Sequence, residues 1–169
     1  NVGSPGAMER VNMFRIEQAL ELKTIQVPFD NPSERYAALI GGTVDALLEQ
    51  PGDVATFLDS GKMKPILTLY PDRPAAFAEV PTTADIGINS DPLLRFRGLW
   101  VLPSVPESRR KYLEAAVRAA WESAEFQEFN RQRSMTMIPS YLDHEGAKAL
   151  IAKEIDVYRE AYRAIGLGQ

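Results

Sequence analysis

Apolar positions recur at helix-like spacing through Ala7 to Leu22, at Met8, Val11, Phe14 or Arg15, Ala19 and Leu22. The turn Gly3-Ser4-Pro5-Gly6-Ala7 stands just before them, so the pattern predicts a strand end, a tight turn and a helix start. Thr24 to Pro28 is β-rich, Pro32 to Ile40 reads as a helix with proline near its start, and Gly41-Gly42 stops it before a strand over Thr43 to Leu48. The alternation continues with a helix over Pro51 to Ser60 ended by Gly61, a buried strand over Lys64 to Leu69 and a helical turn over Pro81 to Gly87. Phe96 to Leu102 reads as one more strand. Beyond Pro103 and Pro106 the pattern turns helical, over about 107–122, 124–133 and 143–165, with Met135 to Ile138 as the remaining strand. An α/β fold follows, with a sheet flanked by helices over residues 1–97 and a helix-rich tail over 98–169.

Composition narrows the function classes. The 169 residues are 45% hydrophobic and 25% charged, as in globular proteins, and no apolar run reaches the length of about 20 residues that spans a bilayer. The chain opens on Asn1-Val2-Gly3-Ser4-Pro5, without a basic-then-apolar leader pattern. Net charge is −4, and residues 1–97 hold 13 of the 23 acidic but 9 of the 19 basic groups. Nucleic acid is thereby disfavoured as a partner, and an anion bound in the first segment needs local donors. With no cysteine, thiolate chemistry and disulfides are excluded.

Helix starts are the candidate chemistry. The amino end of a helix presents unpaired N–H groups and a partial positive charge, which suit a carboxylate. One such start follows Gly3 to Ala7 and a second lies at Asn31-Pro32-Ser33, so two converge at one sheet edge, where open α/β sheets bind ligands. A plain structural turn explains Gly3 to Ala7 equally well. Glu9, Arg10 and Asp30 read first as solvated charges, Trp100 as core packing, and Asp143 as the cap of a helix that begins beside the single histidine, His144. Tyr112, Ala116 and Ala119, with Ile151, Ile155, Tyr158 and Tyr162, form stripes expected in the core. No Gly-x-Ser-x-Gly elbow, metal-spaced histidine cluster or P-loop is present, so no enzyme, metal or cofactor is expected.

Six segments in order resemble the Bug-type solute receptors of the tripartite tricarboxylate transporter family. They are Val2 to Gly6, Val27-Pro28-Phe29, Leu39 to Asp45, Ser60 to Ile66, Val80 to Asp85 and Gly98 to Pro103, followed by a tail ending Glu154-Ile155-Asp156-Val157-Tyr158. The resemblance implies a type II periplasmic-binding-protein-like fold: one lobe with a mixed sheet over residues 1–97, and a crossover strand and helical tail over 98–169 belonging to the other lobe. It implies that the first part of that other lobe, with its glycine-rich ligand loop, is absent from this chain, which predicts self-association. It also implies a periplasmic location, a small carboxylate or amino-acid-like solute, and membrane transporter subunits as partners.

Carried onto this sequence, the ligand-binding residues are Gly3, Ser4, Gly6, Ala7, Arg10, Asp30, Asn31, Ser33 and Glu49. The sequence departs from the family where the ligand should lie. Met8-Glu9-Arg10 replaces small and hydroxyl residues, Phe29-Asp30-Asn31 stands where Tyr, Lys and Gly are common, and Glu49-Gln50 replaces Asp-Asn. Glu9, Asp30 and Glu49 either repel a carboxylate or pair with the amino group of an amino-acid-like solute, while Arg10 suits a carboxylate bidentately. An interaction or sensor module that has lost its pocket is the competing function.

Overall fold

The computed structural model describes residues 1–4, 6–70, 72–90, 93, 95–137 and 140–166. Two compact units divide the chain, one formed by Asn1–Leu93 with Val157–Gln169 and the other by Leu94–Asp156.

The first unit begins with β1 (Val2–Ser4), α1 (Ala7–Leu20), β2 (Gln26–Pro28), α2 (Pro32–Ile40), β3 (Ala46–Leu47) and α3 (Pro51–Asp59). β1 is central in the order β2-β1-β3, with Gly3 opposite Val27 on one side and Leu47 on the other. All these pairings are parallel, where a mixed sheet was expected from the sequence. The reason lies in the connections: each strand is followed by a helix that returns the chain to the same end, so the next strand runs the same way.

Local chemistry sets the element ends. Glu21 closes α1 in the left-handed region at φ 52°, and the Glu17 carboxylate holds the turn by accepting from the Thr24 amide (3.0 Å) and hydroxyl. α2 starts on the Asn31 cap with Pro32 at its first position, where a missing N–H costs nothing. It stops at Gly41, and Gly42 at φ 74° turns the chain so that the Thr43 amide reaches the Ala38 carbonyl at 2.8 Å. Beyond α3, 3-10 turns form at Ala75–Phe77 and Ala84–Ile86. The strand expected over Lys64 to Leu69 is reduced to one parallel bridge between Thr68 and Thr82.

The core of this unit gathers Val11, Leu93 and Ala161, with Met8, Val157, Tyr158, Tyr162 and Ile165 packed around them. Of the stripe expected over Ile151, Ile155, Tyr158 and Tyr162 on α6 (His144–Ala164), Tyr158 and Tyr162 pack in this core, whereas Ile155 is exposed.

The second unit holds α4 (Glu107–Glu122), α5 (Ala124–Gln132) and the first part of α6. Ser123 ends α4 and caps α5 by accepting from the Phe126 amide, and Trp121 packs on Phe126 and Tyr141. Asp143 caps α6 by accepting from the Gly146 amide at 2.9 Å. Three expectations fail here. Phe96 to Leu102 pairs with no strand among the described residues, and its Trp100 is 69% exposed rather than core. Apolar β-formers make a strand only where a partner supplies the ladder. Tyr112, Ala116 and Ala119 lie on an exposed face of α4, because helical spacing marks a face without showing that something covers it. Met135, Thr136 and Met137 form turns instead of a strand, and Ile138 lies outside the described residues.

Candidate functional site at the carboxyl edge of the sheet

Because the three strands are parallel, their carboxyl ends share one edge, and each leads into a helix: Ser4 toward α1, Pro28 toward α2 and Leu47 toward α3. β2 and β3 lie on opposite sides of β1, so the connections diverge between β1 and β3. Such a switch point is where open α/β sheets bind ligands.

The helix starts are already served by the chain itself. Gly6 is the N-cap of α1 and has no capping side chain. Glu9, three positions on, is 4% exposed, and its Oε2 would lie 3.4 Å from a Cβ on Gly6. A carboxylate folded back on the first turn is the arrangement of a capping box, and it puts negative charge where a solute anion was expected. Glu9 is therefore not the solvated charge that its sequence position suggested. At α2 the Asn31 Oδ1 accepts from the Ser33 amide at 2.9 Å, while Pro32 has no N–H to offer. Two of the expected anion donors, at Asn31 to Ser33, are thus one capped and one absent.

The remaining expected residues are placed as follows. Ser4 ends β1 and Ala7 opens α1, while Pro5, within the expected turn, lies outside the described residues. Gly3 sits in the ladder, where a Cβ would meet Leu47 Cδ2 at 2.6 Å, Arg35 Cγ at 3.2 Å and Phe29 Cε2 at 3.3 Å. Its smallness serves side-chain packing from three neighbours. Asp30, Asn31 and Ser33 are exposed. Arg10 is exposed and borders an open depression of about 160 Å³ lined also by Phe14, Glu17, Gln26 and Ile165.

Glu49 is the exception, since it lies within a buried polar group. Arg35 donates to Glu49 Oε2 from Nε at 3.1 Å and also from Nη2, and the two side chains are 4% and 8% exposed. Arg35 was not anticipated: it ends the polar run Ser33-Glu34-Arg35 of α2, and nothing in its spacing separates it from a solvated arginine. Burial of the guanidinium is tolerable because Glu49 neutralises it; either charge alone would be strongly destabilising there. The adjacent Tyr36 completes the group. Burial first, then the charge of Glu49 and side-chain hydrogen bonding to it, push its pKa above the ordinary 10.0. The Arg35 guanidinium also lies 5.4 Å from the Tyr36 ring centre, and Tyr36 meets Phe57 of α3 edge-on at 5.5 Å. Next in the chain, Gln50 donates its amide N–H to Glu49 Oε1 at 3.2 Å, but its buried side-chain Nε2 has no acceptor among the described residues.

What the carboxyl edge brings together is accordingly the Arg35 guanidinium matched by the Glu49 carboxylate, the Tyr36 phenol and the unpartnered Gln50 side-chain amide.

The model of the family described as "Tripartite tricarboxylate transporter family receptor" matches residues 1–167. Among curated proteins, the "UPF0065 protein in gbd 5'region" of Cupriavidus necator is 32% identical over 88 residues, which are 51% of this chain and 27% of that protein. A UPF0065 protein of Bordetella pertussis is 23% identical over 124 residues, 73% of this chain and 38% of that protein. The matched stretches thus span well under half the length of either relative.

Proposed function

Since the chain belongs to the tripartite tricarboxylate transporter receptor family, we propose that it serves as the solute-binding part of an extracytoplasmic receptor, taking a small organic carboxylate of amino-acid-like character. The single observation that carries this reading beyond the family is the parallel β2-β1-β3 edge, where Arg35, Glu49, Tyr36 and Gln50 gather beside the β1/β3 switch point. The binding set is Gly3, Ser4, Gly6, Ala7, Arg10, Asp30, Asn31, Ser33 and Glu49, in a lobe over residues 1–97 of a periplasmic-binding-protein-like fold. Binding occurs in the periplasm without turnover, and the loaded receptor delivers its solute to membrane subunits of the transporter. Asp30 pairs with the amino or amide group, and the carboxylate takes the cationic side.

The test is a thermal-shift screen against mono-, di- and tricarboxylates, amino acids and their amides, because a ligand that binds the folded state raises its stability by mass action. Amino acids or amides are expected to give the largest shifts and tricarboxylates the smallest. The reverse order contradicts the solute class.

One observation favours a second reading. Glu9 and Asn31 occupy helix starts that a ligand would otherwise use, as in an interaction or sensor module that has kept the fold and lost its pocket. Under that reading the whole screen is flat on a folded protein, and a protein partner is recovered instead.

A further inference from the structure

Two features of the carboxyl edge do not fit a merely structural ion pair. The first is that Arg35 places both Nε and Nη2 on the same oxygen, Glu49 Oε2, while Glu49 Oε1 turns to the Gln50 backbone. A guanidinium fork matches both oxygens of a carboxylate in parallel, and here one arm is tied elsewhere. The second is the buried Gln50 Nε2, a donor left without an acceptor among the described residues. A buried donor without a partner is uncommon and calls for a specific cause.

We propose that Arg35, the Tyr36 hydroxyl and the Gln50 side-chain amide form a receptor for a solute carboxylate, and that Glu49 is a tethered occupant which the solute displaces. This rests on the solute-binding reading above and names its anion-binding residues. Glu49 is suited to leaving. It stands in the connection between β3 and α3, outside the ladder and before the first helical turn, so no regular backbone hydrogen bonds are lost when its side chain moves. Exchanging one carboxylate for another keeps the Arg35 charge neutralised throughout. An incoming carboxylate that left Glu49 in place would meet a like charge at close range, whereas one that displaces it also supplies Gln50 Nε2 with an acceptor. A free carboxylate competes against a covalently attached one at high effective concentration, which weakens solute binding. The Glu-Gln pair after β3 is therefore a brake on affinity that sets the threshold for solute capture.

The experiment is calorimetric titration of the chain with propionate and succinate, chloride-matched for ionic strength, in wild type, Glu49→Gln, Glu49→Asp and the double variant Arg35→Gln/Glu49→Gln. Glu49→Gln removes the competing charge and is expected to bind propionate at least tenfold more tightly than wild type. Glu49→Asp keeps the charge on an arm one methylene shorter, preserves neutralisation of Arg35 in the fold, and is expected to fall between them. The double variant is expected to lose the gain. Equal affinity in wild type and both single variants overturns the displacement. If wild type then still binds an amino acid or amide, receptor function stands without it. If wild type binds nothing in the screen while Glu49→Gln gains propionate, the receptor group is upheld and solute capture by the native chain fails. Should Glu49→Gln not fold, Glu49→Asp decides alone: no tightening over wild type overturns the proposal.

Discussion

Gly3 and Leu47 face one another across the paired strands β1 and β3, and a Cβ added to Gly3 would stand 2.6 Å from Leu47 Cδ2. The same added atom would press on Arg35 Cγ and Phe29 Cε2, so the added carbon itself has no open side. The close approach ties the middle of the sheet to the buried Arg35–Glu49 pair, and a change at the glycine is felt at the candidate site.

Gly3→Ala is expected to lower stability by about 1–3 kcal/mol, the usual cost of forcing an extra carbon into packed surroundings. The measurement is the urea midpoint at unchanged slope. A second change, Leu47→Ala, removes the nearest obstruction, so the double variant is expected to lose less than the sum of the two single losses. Strict additivity would show that Gly3 and Leu47 do not meet in solution.

Asn31→Ala deletes the side-chain acceptor that serves the Ser33 amide. A loss of about 1 kcal/mol is expected, with Asn31→Ser or Asn31→Asp retaining most of the stability because each can cap in the same way. Chemical denaturation of the three variants separates a cap from a residue whose side chain is dispensable.

Glu128 on α5 accepts from Arg131 at 2.5 Å and 2.8 Å and from Gln132 at 2.8 Å. Those bonds, Arg131 first, lower its pKa from 4.5 to about 2. A group depressed in the folded state contributes stability that is present above its unfolded pKa and lost as pH falls toward the folded one. The contribution of Glu128 is accordingly expected to be complete near neutral pH and to fade between pH 4.5 and about 2. Carboxylate NMR should place its midpoint at the bottom of that window, and Arg131→Ala should return it toward 4.5. Because the pair is exposed, its effect on overall stability is small, and the shifted midpoint is the informative readout.

Tyr36 should ionise above the ordinary 10.0, and the dominant cause is burial, with the Glu49 charge and hydrogen bond adding to it. Glu49→Gln is expected to lower that pKa while leaving it above 10.0, since burial persists. Ultraviolet titration of each chain, with its Tyr36→Phe counterpart subtracted, isolates this tyrosine from the other five. No change on Glu49→Gln would show that the phenol and the carboxylate are not partners.

Helices were far more legible in the sequence than strands. Pro32 to Ile40 is helical over the expected span because its start, Asn31-Pro32, and its stop, Gly41-Gly42, are both written locally. α4 and α6 likewise lie where apolar spacing and the Pro106 and Asp143 starts put them. Strands depend on partners that lie far off in sequence. Thr43 to Leu48 therefore shrank to Ala46–Leu47, where β1 supplies a ladder, and Phe96 to Leu102 formed none despite its apolar β-formers. The site was legible at the level of backbone, since helix starts do follow the strands. Side chains changed its chemistry: Glu9 turned inward onto its own helix start and Asn31 capped its own helix. Arg35 became the buried cation because Glu49, 14 residues away, reaches it. Charge pairing across that separation is fixed by packing and leaves no periodic trace.

The measurement that tests the central claim most directly is calorimetric titration of the wild-type chain with the solutes of the thermal-shift screen, repeated on Asp30→Asn and Arg35→Gln. Saturable one-to-one binding of an amino-acid-like carboxylate, weakened about tenfold or more by Arg35→Gln and less by Asp30→Asn, is the predicted result. Absence of binding by folded wild-type chain to every carboxylate, amino acid and amide, or binding that Arg35→Gln leaves unchanged, would contradict a solute site at the carboxyl edge of the sheet.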